Sequence, residues 1–264
     1  MIGFLIKKTF YDLWDNLFRI ALLNLGFIAS LAIPIILPGL IPIQALSVSV
    51  LAIGSLWCCI YLCAAALSLK AISDYGTFGF GDFSRNLKSG WLFGLVMGAL
   101  VFFMILMITQ IIPFYIGMNS MFGLFLAAII FWALVLGIFS LQFFFAVRAR
   151  LDTKLLKVLK KCFIIFFDNP GFAIFSLLHN IVLLVLSGLL AFLVPGPAGI
   201  LLFLDEALRL RLLKYDWLEA NPDPETTGKR SRRRRSIPWD AILIEEREKT
   251  GSRSFKSFIF PWKD

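Results

Sequence analysis

Three ionisable side chains fall where an ionised group is expensive. His179 lies inside an apolar run at residues 171–194, and Asp205 and Glu206 interrupt another at 198–214. A charged group in hydrocarbon costs several kcal/mol, so such residues tend to be paired or functional. At 1.5 Å per residue, His179 lies about 12 Å into its run and Asp205 about 14 Å from Lys214. The matching depths predict a His179–Asp205 contact inside a helix bundle, able to carry a proton or hold a polar ligand. Weighed against it are a purely structural interhelical bond and pairing of Asp205 with Arg209 one turn along the same helix. Asn180 stands beside His179. With Asn24, Gln110 and Gln142 it is expected to tie helices together rather than line a substrate path.

Other chemistry finds little support. The sequence has no HExxH, no Gly-Lys-Ser/Thr phosphate loop after Gly76, Gly79 and Gly81, and a single histidine for acid–base work. Cys58, Cys59, Cys63 and Cys162 lack zinc-like spacing with histidine partners, and read as small apolar packing residues without a disulfide. No enzyme activity, metal or cofactor is expected.

The elements that must position these residues are membrane helices. The 264 residues are 59% hydrophobic and only 16% charged, with mean hydropathy +0.84, whereas soluble domains carry about 25% charged residues. Uncharged runs long enough for a bilayer core of about 30 Å recur along the chain. We read spans at 17–37, 45–69, 91–112, 121–147 and 171–194, and a short, polar sixth at 198–214. Pro34, Pro38 and Pro42 are expected to break the first, Pro113 to end the third, and Pro195 and Pro197 the fifth. Gly94 and Gly98 have the GxxxG spacing of a close-packing face. Two amphipathic helices are expected to lie in the interface. One covers residues 1–16, with Phe4, Leu5, Phe10, Leu13 and Trp14 against Lys7, Lys8, Asp12 and Asp15. The other covers about 151–167, with Lys154, Lys157, Lys160 and Lys161 opposite Leu155, Leu156, Leu159 and Phe163. The start does not read as a cleaved signal, because Asp12 and Asp15 follow Lys7 and Lys8 before the apolar run.

The net charge of +9 is concentrated in particular loops, which argues for membrane orientation rather than nucleic acid. Lysine and arginine sit before span one, between spans two and three, and between spans four and five. Segments 34–47, 113–121 and 195–199 have none. This alternation predicts cytoplasmic basic loops and a cytoplasmic N-terminus. Residues 215–264 read as a basic tail, cytoplasmic if the sixth span crosses; five spans with an external tail is the rival. Within it Arg230, Arg232, Arg233, Arg234 and Arg235 are candidates for contact with anionic lipid, and Phe258, Phe260 and Trp262 for dipping into the interface or docking on a partner. A short helix is expected within 237–249. A weak internal repeat supports six spans. Asn16, Asn86 and Asn169 precede the odd spans, Pro42, Pro113 and Pro195 follow at nearly constant distance, and the even spans end alike at 66–70, 146–150 and 207–211. The expected fold is therefore an all-α integral membrane protein: a six-helix bundle of three hairpins in residues 1–214, with amphipathic interfacial helices and a cytoplasmic tail.

Residues Leu13-Trp-Asp-Asn-Leu-Phe-Arg-Ile-Ala-Leu-Leu-Asn24, leading to Leu31-Ala-Ile-Pro34, resemble the bacterial YesL-like membrane proteins of the DUF624 type. So does Asp82-Phe-Ser-Arg-Asn-Leu-Lys-Ser-Gly-Trp91. The likeness covers roughly residues 8–213. It implies a bacterial inner-membrane protein linked with carbohydrate uptake by ABC importers, and brings no set of site residues with it. The expected function is a non-enzymatic accessory subunit of such a complex, contacting permease subunits and anionic lipid. The alternative is a stand-alone transporter or channel using the polar residues of spans five and six.

Overall fold

The structure, a computed structural model, describes residues 1–221 and 237–251, and these are helical without strands. A first helix α1 (Ile2–Asp15) leads into α2 (Leu17–Leu40), which pairs with α3 (Gln44–Ser73). Next comes α4 (Phe80–Leu106), continued through a wider π-helical turn, Met107–Ile111, into α5 (Ile112–Gly117). α6 (Met121–Leu141) is followed by α7 (Phe144–Arg150), α8 (Leu155–Asp168), α9 (Pro170–Leu189) and α10 (Gly196–Ala220). After the basic cluster come α11 (Trp239–Ile242) and α12 (Ile244–Thr250). Five helical stretches are long and apolar enough to cross a membrane: Leu17–Leu40, Gln44–Ser73, Phe80–Gly117, Met121–Arg150 and Pro170–Leu189.

Proline acts differently from expectation. Pro34 and Pro38 lie within α2, and Pro113 within α5. In an apolar surrounding the chain has no water to take up freed backbone groups, so helix persists and local partners compensate. Ser47 donates to the Pro38 carbonyl at 2.9 Å, and the π turn widens the helix just before Pro113.

Glycine lets α3 and α4 approach. A Cβ on Gly94 would collide with the Ile60 backbone, and one on Gly98 would lie 2.7 Å from the Leu56 side chain. The three similar helix ends also meet: Ala66, Ala146 and Ala207 are all buried in one core cluster. The repeat's asparagines do not share a role. Asn169 caps α9 by accepting from the Phe172 N–H, Asn86 donates to Ser68 from within α4, and Asn16 bonds back to the Asp12 carbonyl.

Both amphipathic helices depart from expectation in the face they bury. α1 turns Lys8, Thr9 and Asp12 inward along with Leu5, Tyr11 and Leu13, so half of its buried residues are polar. α8 buries Val158, Cys162, Ile165 and Phe166, and leaves Leu156, Phe163, Ile164 and Phe167 exposed together with Lys157 and Lys160. Leucine and phenylalanine exposed beside lysine suit a helix whose outer side meets the membrane surface.

α10 runs on to Ala220, past the expected boundary at 214. It is also too polar to join the five apolar spans: Asp205, Glu206 and Arg211 are all buried within it. Its start is pinned by Asn24, whose Nδ2 donates to the carbonyls of Leu193 (2.9 Å) and Pro195 (2.8 Å) and whose Oδ1 accepts from the Ala198 N–H (2.9 Å). Asn24 lies about 10 Å along α2 from Leu17, and about 24 Å of α2 continues beyond it. The α9–α10 turn is therefore level with the first third of α2 and does not reach the outer ends of α2 and α3.

Candidate functional site

The functional candidate is a buried ionic network where α1, α3, α7, α10 and α12 meet. It begins at the C-terminus of α3, whose last carbonyls have no helical partner and carry the negative end of the helix dipole. The Ser73 carbonyl accepts from Lys8 Nζ of α1 at 3.1 Å and from an Arg209 Nη1 of α10. The chain then reverses through a Schellman-type cap. Gly76 donates to the Ala71 carbonyl and Tyr75 to that of Ile72. Tyr75 sits at φ 61°, left-handed backbone that a non-glycine residue seldom adopts. That geometry sets its ring under Lys8, 4.2 Å from Nζ, with Arg209 at 5.2 Å.

Arg150, at the end of α7, forks onto Asp205 with Nε at 2.9 Å from Oδ1 and Nη2 on Oδ2. Its Nη1 reaches Asp74 at 3.0 Å and Nη2 the Ser73 hydroxyl at 2.8 Å. Bidentate contact of this kind is the strongest ion pair geometry a protein offers. Arg209 joins Asp74 (2.7 Å) to Glu246 of α12 (2.7 Å). Tyr75 donates its hydroxyl to Glu246 at 2.7 Å, and burial pushes this phenol well above its ordinary range, so it remains a donor. Leu243, fully buried in the main core cluster, anchors the same segment. The part of the tail at 237–251 is therefore seated on the bundle as two short helices rather than one.

A second arm lies between α1 and α10. Lys8 bonds to the Asp12 carboxylate, and its Nζ lies 3.5 Å from Glu206 Oε1. Thr9 donates to Glu206 Oε2. Lys8 and Glu206 are completely enclosed.

His179 and Asp205 do not meet. Asp205 is bound by Arg150, while the His179 ring stacks on Phe203 with centroids 3.9 Å apart and has Phe175 at 6.0 Å. Phe203 stands two residues before Asp205 on α10, so the helix presents an aromatic ring to His179 and turns the carboxylate toward Arg150. The pairing of Asp205 with Arg209 does not form either, because Arg209 reaches across to Asp74 and Glu246. His179 Nδ1 and Asn180 Oδ1 are buried without hydrogen-bond partners among the described residues. Gln142 ties α6 to α9 through a bond to the Ala173 carbonyl at 3.0 Å, whereas Gln110 is exposed. Arg230, Arg232, Arg233, Arg234, Arg235, Phe258, Phe260 and Trp262 lie outside the described residues.

Sequence reasoning missed Lys8, Thr9, Asp12, Ser73, Asp74, Tyr75, Arg150 and Glu246. The signal available was the spacing of Leu5, Lys8, Thr9 and Asp12, which puts three polar groups on one helical stripe. A cleft of about 300 Å³ lies beside the network, lined by Ser68, Thr77, Phe78, Asp82, Arg85 and Asn86 among others. Its polar groups are already engaged: Asn86 bonds to Ser68, and Asp82 caps Gly79 and pairs with Arg85. The four cysteines are free, and the described residues contain no His/Cys/Asp/Glu group fit for a metal ion. Compared with known proteins, the chain matches no family model, no curated protein and no solved structure.

Proposed function

We propose that this chain is a non-enzymatic accessory subunit of a bacterial inner-membrane transport complex, a carbohydrate ABC importer, with both termini in the cytoplasm. The observation that carries the reading is the commitment of Asp205: it is forked by Arg150 and closed in by Ser73 and Asp74. A carboxylate so engaged ties helices together and is not available to a moving solute. The carbohydrate importer rests on the resemblance of Leu13–Asn24 and Asp82–Trp91 to the YesL-like proteins. The basic ends of α3 and α7 and Arg209 of α10 gather on one side with α1 and α12, in keeping with a single cytoplasmic face. On this reading α9 and α10 enter and leave the bilayer on that face and turn within it. That replaces full fifth and sixth crossings and still leaves the tail cytoplasmic. The irregular backbone at the turn is tolerated because Asn24 satisfies it.

The test is purification in mild detergent, with mass spectrometry, of the full chain and of a chain lacking 215–264. A permease subunit should accompany the full chain; its absence from both preparations refutes the accessory role. The transporter reading keeps one supporting feature, the unpartnered His179 Nδ1 and Asn180 Oδ1. Solute flux in vesicles holding only this protein, lost in His179→Leu, would establish it in place of the first.

A further inference from the structure

We propose that Asp12 and Glu206 form a proton-binding site that fastens α1 to α10. Three ionisable groups share this enclosed space: Lys8 and Asp12 from α1, and Glu206 from α10. Their side chains are 0%, 12% and 0% exposed. Two carboxyl groups therefore face one ammonium, and the ammonium bonds to Asp12. Glu206 Oε2 accepts from Thr9, but among the described residues Oε1 receives no hydrogen bond. Both carboxyl groups approach the same Lys8 Nζ, which makes them neighbours in the enclosed space.

Among the described residues no other element supplies the missing positive charge. From α3 come the Ser73 carbonyl and the electron-rich face of Tyr75, both of which draw on Lys8 itself. Asp74, just past α3, adds another negative charge. Arg150 of α7 is spent on Asp205 and Asp74. On α10, Asp205 is held by Arg150, and Arg209 is spent on Asp74 and Glu246. α12 brings Glu246, and Lys249 lies over the Tyr75 ring at 5.8 Å. Across the network Asp12, Asp74, Asp205, Glu206 and Glu246 stand against Lys8, Arg150 and Arg209. An enclosed carboxylate without a counter-charge is strongly disfavoured. The cheapest correction is one proton on Glu206, donated in a hydrogen bond to Asp12. A metal ion fits poorly, since the Lys8 ammonium already lies against both carboxyl groups.

The proton makes the α1–α10 contact pH-dependent. Below its titration the pair is an acid–carboxylate hydrogen bond with Lys8 beside it. As pH rises and the proton leaves, two carboxylates repel, and the folded state loses stability. The reading is independent of the transport role.

The experiment uses the full-length protein in lipid nanodiscs, comparing wild type, Glu206→Gln and Asp12→Asn. Infrared difference spectra between mildly acidic and mildly alkaline pH should show a protonated carboxyl carbonyl band in wild type. It should vanish in Glu206→Gln and shift in Asp12→Asn. Titration should release one proton per chain fewer from Glu206→Gln than from wild type. The melting temperature of wild type should fall as pH rises, while that of Glu206→Gln, which mimics the neutral acid, should stay level. A band that survives in Glu206→Gln overturns the proposal. So does wild-type stability that follows sodium or potassium concentration instead of pH. If Glu206→Gln does not fold, an unshifted band in Asp12→Asn overturns it equally.

Discussion

Replacing Asn24 with leucine tests how the α9–α10 turn is held. The side chain is 1% exposed and makes three hydrogen bonds to backbone 169 to 174 positions away, at 2.9, 2.8 and 2.9 Å. Each such bond contributes roughly 1 kcal/mol net, and more when its partner is left buried and unpaired. Here the Leu193 carbonyl and the Ala198 N–H would be stranded in apolar surroundings, while the Pro195 carbonyl keeps the Gly199 N–H. The Asn24 amide also fills the space where Gly196, at φ 58°, has no side chain, so the turn is moulded to it. The sum is about 3–5 kcal/mol of lost stability for Asn24→Leu. Equilibrium unfolding in mixed micelles, followed by tryptophan fluorescence, measures the loss. Hydrogen exchange at the Ala198 amide locates it, and that amide should lose most of its protection. A loss below about 1 kcal/mol, with Ala198 still protected, would refute the argument that Asn24 fixes the turn.

Three further outcomes are expected. Arg150→Met strands Asp205, while Asp74 keeps Arg209, and should cost about 3–5 kcal/mol in the same unfolding assay, with part recovered by adding Asp205→Asn. Gly94→Leu should drive α4 off the Ile60 backbone and lower the melting temperature far more than Gly81→Leu, whose Cβ meets open space. Burial pushes the Cys162 thiol up to about 12, so in a variant keeping only that cysteine, maleimide at mildly alkaline pH should react after denaturation and not before.

Residues 17–69 show how much of the fold was legible. A long uncharged run, a proline-containing turn and a second uncharged run specify two packed apolar helices, because the hydrophobic period and the bilayer length leave few alternatives. The detailed ends were less legible. Pro34 and Pro38 break helices in water, yet in apolar surroundings the backbone has nowhere better to go. Gly94 and Gly98 announced a close contact, and the contact exists. They did not say with which helix.

The ionic network was legible only in fragments. Arg150 and Arg209 were seen as charges ending apolar runs, and Asp205 and Glu206 as anomalies within one. Which acid meets which base depends on helix rotation and on contacts 37 to 198 residues apart, neither of which a local pattern carries. His179 and Asp205 had matching depths, but a turn of α10 put Phe203 in the facing position. Lys8 and Asp12 looked like the wet side of an interfacial helix until α10 supplied Glu206 to face them.

The sequence alone determined that apolar helices dominate this chain and that its positive charge is segregated, since both follow from the cost of placing charge in hydrocarbon. Tertiary structure decided where the third hairpin turns and which side of α1 is inside. Those choices rest on a few long-range hydrogen bonds, from Asn24 to residues 193–198 and from Lys8 and Thr9 to their distant partners, and such bonds exist only once the helices are packed.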